Sequence, residues 1–464
     1  MKKTLIPFVL LLATVVPLRA QWWQGYSERT GLVLSLYVCD TGVVLYSPLQ
    51  TDQPIPASQW SLQDDTLRLK CHSIGFSATL AWRNSLWTGY WKQGLLKEDI
   101  VFHPTDTLLV LHRPQEPVAP YRFEEEEVVA DYTDSRGNEV HLEGTLTYPR
   151  FDPKLARMGV GDRHPCIVLV SGSGQQDRNE EIMRHKPFLV LADYLAQRGI
   201  AVLRYDDRGV GGSLCTTSAQ AGSCLDSADT RLLSEDAEAM FRAARRNRHV
   251  DTTRLGMGGH SEGGAIAPMV AARNKDVKFV VMMAGQGVSG TELLVDQNRA
   301  LFRAKGVSER LCNLRAECMR DLLALPAGSK TSDYTIYIEQ YTQNLTKAET
   351  DSIGLGKKMV GTLRQQLRTP WMRSFLKLDP ASYLPLVKCP ILALNGAKDC
   401  QVTSERNLHA IMALTSGHAE CMELPDLNHL FQHCTTGSAD EYIFIEETFA
   451  PEAMKAIADW ILHH

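Results

Sequence analysis

Over the first hundred residues apolar and polar positions alternate with a period of two. Leu32, Leu34 and Leu36 alternate in GLVLSLYV, and Thr66, Arg68 and Lys70 alternate with apolar neighbours in DTLRLKC. That period belongs to half-buried strands, and turn residues break it every few positions. Residues 21–115 are therefore expected to form a small all-β domain, a sandwich or barrel. Six of the eight tryptophans lie in it (Trp22, Trp23, Trp60, Trp82, Trp87 and Trp91), and they are read first as β-core residues. A sugar-binding aromatic face is the alternative.

From about residue 121 the pattern changes. Continuous apolar runs such as HPCIVLV, IAVLRY, RLGMG and VKFVVMM alternate with helical segments such as KPFLVLADYLAQRG and DTRLLSEDAEAMFRAARRNR. Strands apolar on both faces, separated by helices, predict a mostly parallel, doubly wound α/β sheet covered on both sides. Residues 287–385 break the rhythm with helices and no strand, which is too long for a connection and predicts an inserted helical cap. Strand and helix resume at PILALNGAKD and HAECMELPD, and EAMKAIADWILHH closes the chain. HRPQEPVAP, residues 112–120, is read as a linker, and the acidic run Glu124–Glu127 as a solvated strand edge.

The first twenty residues, MKKTLIPFVLLLATVVPLRA, carry two lysines, a short apolar run and Ala20 before a cleavage point. This is the pattern of a cleaved signal peptide, so a periplasmic or secreted location is expected, with no stable membrane insertion afterwards. Lys and Arg number 49 against 54 Asp and Glu, a net charge of -5, which gives no electrostatic basis for nucleic-acid binding. Export permits disulfides, and Cys215 with Cys224, Cys312 with Cys318, and Cys421 with Cys434 are near enough in sequence to consider. The 11 cysteines are odd in number, so at least one stays unpaired. CxxC and HExxH patterns are missing, and no metal site is expected.

The sharpest chemical feature is Gly259-His260-Ser261-Glu262-Gly263. An apolar strand runs into it and a helix leaves it, the setting that holds a serine at a strained corner. A serine hydroxyl needs a base to take its proton, and that base needs an orienting carboxylate. Asp399 and His429 each follow a late strand, in the order nucleophile, acid, base. His409 sits within a helix, His418 precedes its strand, and Asp426 lies too near His429 to come from a separate strand. His433, four residues after His429, is read as incidental spacing. The oxyanion of a tetrahedral intermediate needs backbone N–H donors. Glu262 supplies one, and the loop Ser171-Gly172-Ser173-Gly174 the other, with Ser173 first choice and Gly174 and Gln175 close behind. The polar segment Arg204–Gly209 is expected to form a hydrogen-bonded bracket beneath the serine turn.

In order, VLVSGSGQQDRNE, VLRYDDRGVGGS, MGGHSEGG, LALNGAKDCQV and LPDLNHLFQ resemble the α/β-hydrolase superfamily, and within it the bacterial exported esterases grouped with thermophilic esterase D. The resemblance covers residues 121–464 and maps that family's nucleophile, acid and base onto Ser261, Asp399 and His429. Many superfamily members carry a histidine where this loop has Ser171; the closer subgroup matches. It implies hydrolysis of short-chain carboxylic esters, without a cofactor, on small-molecule or acylated-glycan substrates. A prolyl-oligopeptidase-like peptidase is the alternative activity, although the N-terminal portion is too short for a propeller. The oligomeric state is not implied.

Overall fold

Period-two alternation becomes one antiparallel sheet in the first of two units, Met1–His112 and Arg113–His464. The computed structural model describes residues 20–27, 30–51, 53–150, 162–216, 228–326 and 328–464. Apart from Ala20, the expected signal peptide lies outside them. In the first unit the strands are β1 (Gln21–Tyr26), β2 (Val33–Cys39), β3 (Gly42–Tyr46), β4 (Ile55–Pro56), β5 (Gln59–Gln63), β6 (Thr66–Cys71), β7 (Phe76–Arg83), β8 (Leu86–Gln93) and β9 (Leu96–Thr105). Their order is β4-β3-β2-β1-β9-β8-β7-β6-β5, a meander with two ends. Two-residue turns at Asp64-Asp65 and Asn84-Ser85 have positive φ at both positions, the geometry that matches strand twist in tight hairpins. Trp23, Trp87 and Trp91 pack with Leu36, Leu45, Leu67 and Phe102 in the core, while Trp60 and Trp82 stay partly exposed.

The second unit has β10 (Phe123–Thr133), β11 (Glu139–Pro149), β12 (His164–Val170), β13 (Ala201–Tyr205), β14 (Leu214–Thr216), β15 (Val250–His260), β16 (Val280–Met283), β17 (Ile391–Gly396) and β18 (Ala419–Leu424). The order is β10-β11-β13-β12-β15-β16-β17-β18, with β14 beside β11. From β13 to β18 the pairing is parallel; β10, β11 and β14 join antiparallel. This is the α/β-hydrolase sheet. Helices α1 (Pro187–Ala196), α2 (Thr230–Arg246) and α3 (Glu262–Arg273) follow the early parallel strands. Helices α4 (Gly290–Ala304), α5 (Glu309–Ala324), α6 (Thr331–Thr342), α7 (Lys347–Ser352), α8 (Lys357–Gln366) and α9 (Pro370–Phe375) fill the stretch between β16 and β17, and all but α7 contribute to an apolar core of their own. Helices α10 (Ser404–Leu414) and α11 (Pro451–His463) complete the layers. One sheet face packs on α2, α3 and α10, the other on α1 and α11, so both faces are dry. Among the described residues no helix is long and apolar enough to cross a membrane.

Three expectations change. The acidic run is on edge strand β10, but it is not merely solvated: Glu125 meets Arg204 at 2.9 Å and Glu127 meets Arg178 at 3.0 Å. Part of the expected linker is tied down. Arg113 donates to the carbonyls of Ile445 and Met183 at 2.9 Å, and the Gln115 side chain exchanges hydrogen bonds with the backbone of Phe449. Among the considered cysteine pairs, Cys312, Cys318, Cys421 and Cys434 are free thiols. Cys312 and Cys318 share helix α5, where six residues rise about 9 Å, beyond disulfide reach. Cys215 is disulfide-bonded; Cys224 lies outside the described residues.

Candidate active site

Strand β15 delivers Ser261 to a corner that ordinary backbone avoids. Its φ is 55° and its ψ -116°, a strained combination for a residue with a side chain. Surrounding close packing holds it there. A Cβ on Gly259 would lie 2.0 Å from the Gly263 carbonyl oxygen, and one on Gly263 would lie 2.1 Å from that of Val170. The Ser261 N–H donates to the Met283 carbonyl at 2.9 Å, anchoring the turn to β16. Glu262 opens α3, so its N–H belongs to the first turn, which has no intrahelical acceptor.

Asp399 follows β17 and His429 follows β18. Both are buried, and His429 Nδ1 lies 2.8 Å from Asp399 Oδ2. The other carboxylate oxygen accepts the N–H groups of Gln401 at 2.7 Å and Val402 at 2.8 Å. This fixes the carboxylate plane and leaves one oxygen for the ring. His429 and Ser261 line one cleft of about 500 Å³, between the sheet's C-terminal edge and the helices of the insertion. Leu293, Met319, Leu323, Trp371 and Phe375 form its apolar wall. Ser173 is exposed on the loop after β12 and lines the same cleft, and Gly174 beside it has φ 106°.

The rival residues lie elsewhere. His409 and His418 are exposed, and Asp426 pairs with Lys398 at 2.7 Å. The two ring nitrogens of His433 each sit 2.9 Å from a carboxylate oxygen, of Glu447 and Glu452. The Arg204–Gly209 segment does form a bracket, and what it grips is the loop after β12. Asp207 accepts Ser171 Oγ at 2.8 Å and the Gln176 N–H at 3.0 Å; Asp206 takes Arg178 at 2.7 Å. Burial pushes the Asp207 carboxyl up to about 8. Arg208, fully buried, binds Asp236 at 2.7 Å and Asp134 at 3.0 Å.

Further residues shape the site that no sequence motif marks for the part they play. Glu180, at φ 52°, is buried behind the loop and accepts the Gly172 N–H at 2.6 Å. The same oxygen lies 2.9 Å from His260 Nδ1. The Glu262 side chain turns into the cleft, where it accepts Thr230 Oγ1 at 2.6 Å and the Trp371 indole N–H at 3.0 Å. Burial raises its carboxyl above the ordinary range, although these donors oppose the shift. Trp371 thus joins the inserted helices to the residue after the serine. Gln286, 1% exposed, lines the cleft with its amide nitrogen unpartnered. Glycine flanks of a serine announce themselves in one pentapeptide; partners dozens of residues away do not.

Residues 179–433, more than half of the chain, match the family described as serine aminopeptidase, S33. Esterase EstD of Thermotoga maritima is 25% identical over 315 residues, covering 68% of this chain and 61% of that protein. The chain thus spans about three-fifths of that curated relative's length. Among solved structures, the alpha/beta hydrolase GrgF from Penicillium sp. sh18 aligns at 15% identity over 74% of this chain and 99% of its own, with a TM-score of 0.43. The Pyrococcus furiosus esterase Pf2001 aligns at 14% identity over 76% and 97%, with a TM-score of 0.41.

Proposed function

This chain belongs to the serine aminopeptidase, S33 family, and on that premise we propose that it is a serine carboxylic ester hydrolase acting through Ser261, His429 and Asp399. The observation that carries the reading is the 2.8 Å bond between His429 and Asp399, in the cleft that also receives Ser261 at its strained corner. With Nδ1–H donated to Asp399, the His429 Nε2 lone pair is free to take a proton. It takes that of Ser261 as the hydroxyl oxygen attacks the ester carbonyl. The oxyanion that forms is held by the Glu262 N–H and by the Ser173 N–H, with Gly174 beside it. His429 then protonates the departing alcohol, and afterwards activates a water that releases the acid.

An apolar wall of leucine, methionine and aromatic side chains suits a short acyl chain on a small-molecule or acylated-glycan ester. No cofactor enters this scheme. Export through a cleaved N-terminal signal to the periplasm or exterior is part of the same proposal. Turnover of p-nitrophenyl acetate and butyrate by native protein, lost in Ser261→Ala, is the expected result. Equal rates in both proteins would dismiss the assignment. The family's description favours one second reading, a serine peptidase. Cleavage of aminoacyl or proline-containing dipeptide nitroanilides, without ester turnover, would put it first.

A further inference from the structure

Behind the serine turn lies a second histidine–carboxylate pair that the reaction scheme above does not use. His260 and Glu180 are both buried, at 5% and 1% exposure. His260 Nδ1 lies 2.9 Å from Glu180 Oε1, and its Nε2 lies 2.9 Å from the main-chain carbonyl oxygen of His429. A carbonyl oxygen only accepts, and so does a carboxylate. A neutral imidazole has one N–H, so it can satisfy one of these partners and not both. With Glu180 as the carboxylate, making both bonds takes a proton on each ring nitrogen. Burial disfavours that cation, but Glu180 beside it, the His429 carbonyl and the more distant Asp399 raise the ring above its ordinary value.

Three site elements meet on this pair. Glu180 Oε1 also accepts the Gly172 N–H at 2.6 Å, immediately before Ser173. A Cβ on Gly172 would sit 3.0 Å from that oxygen and 3.2 Å from Ser261 Cβ, so the loop runs flush against both. The His260 and His429 rings lie 4.6 Å apart between centroids. We propose that Glu180 and His260 are positioning residues of this site: an imidazolium–carboxylate clamp that fixes the oxyanion loop at Gly172 and the backbone of the base at His429. Neither touches the reacting atoms. One end of the clamp sets where the donor of Ser173 points, the other where the His429 ring stands. Reacting groups displaced by even about 1 Å can lose about 10²-fold in rate, which is the sensitivity such a clamp protects against.

The inference rests on the ester-hydrolase reading, and its test separates the two. Steady-state kinetics on p-nitrophenyl acetate would compare native protein, Glu180→Gln, His260→Gln and the double variant. Each single variant is expected to lose roughly 10- to 100-fold in kcat. KM should stay within about threefold, since the lost interaction serves the transition state rather than substrate binding. The double variant should be no worse than the poorer single, because either change opens the same clamp. Losses that multiply, or a KM that rises with kcat unchanged, would overturn the proposal. Should the variants not fold, ¹⁵N-histidine NMR of the native full chain decides. One ring should keep protons on both nitrogens on the alkaline side of the ordinary range, after the exposed histidines have become neutral. A spectrum with only neutral rings there would overturn the clamp. Lack of ester turnover in native protein would sink the functional reading instead and leave the NMR result standing.

Discussion

Asp399→Asn puts the proposed acid to its hardest test, because the surroundings dictate how the new amide must lie. One carboxylate oxygen accepts two backbone N–H groups, from Gln401 at 2.7 Å and Val402 at 2.8 Å. An asparagine can keep only an oxygen there, since its NH₂ would face two donors. The NH₂ is therefore driven to the position that meets His429 Nδ1, now 2.8 Å from Oδ2. A donor at that place forces Nδ1 to accept and moves the ring proton to Nε2. The base then has no lone pair for Ser261. The wrong tautomer in a Ser-His-Asp system costs about 10⁴ in kcat, equivalent to about 5 kcal/mol of barrier. Packing changes by no more than one exchanged atom, so thermal stability should drop far less than activity. The assay is kcat for p-nitrophenyl acetate beside a melting curve, with Asp426→Asn as the control. A variant keeping more than about a tenth of native kcat would refute this chain of reasoning. So would a large loss in the Asp426 control, whose carboxylate is mostly exposed against Lys398.

Other predictions address the scaffold. His185 donates to the Tyr442 carbonyl, takes Thr448 Oγ1 at 3.0 Å, and is held by burial down to about 4 from an ordinary 6.5. Its contribution is complete above pH 6.5 and is lost as the pH falls towards 4, about 3 kcal/mol in all. Denaturant titrations of native protein and His185→Gln should therefore differ in slope within that window, the variant being flatter. Arg208→Met removes the cation from buried Asp236 and Asp134 and should cost about 3–5 kcal/mol by chemical denaturation; a cost under about 1 kcal/mol would contradict the buried bracket. Gly263→Ala places a methyl carbon 2.1 Å from the Val170 carbonyl oxygen. Overpacking of that kind costs about 1–3 kcal/mol or more, and the serine should lose reactivity toward a fluorophosphonate probe as its corner is pushed open.

The succession of strands and helices along the chain, the inserted helical stretch and the loops bearing Ser261, Asp399 and His429 are legible because each follows from local periodicity and from what must come after a strand. That Asp399 and His429 stand at the ends of successive strands needs only that same succession. The Glu180–His260 contact is not legible: it spans 80 residues, and no period marks which of the two glutamates ending QQDRNEE is the buried one. The Glu262 side chain was equally hidden, since only the inserted helices bring Trp371 to it across 109 positions. The acidic run looks solvated in sequence because its partners Arg204 and Arg178 lie on another strand and a loop. Cys312 and Cys318 were close in number but not in space, as the rise along α5 separates them.

Arg113 and Gln115 have a practical implication for anyone wishing to excise the hydrolase body. The region where strand pattern begins suggests cutting just ahead of β10. Such a cut would uncap the carbonyls of Met183 and Ile445 and the amides of Thr448 and Phe449, on the segments that flank His185. The smallest autonomous fragment should start no later than Arg113, carrying these few residues as a stitched hem.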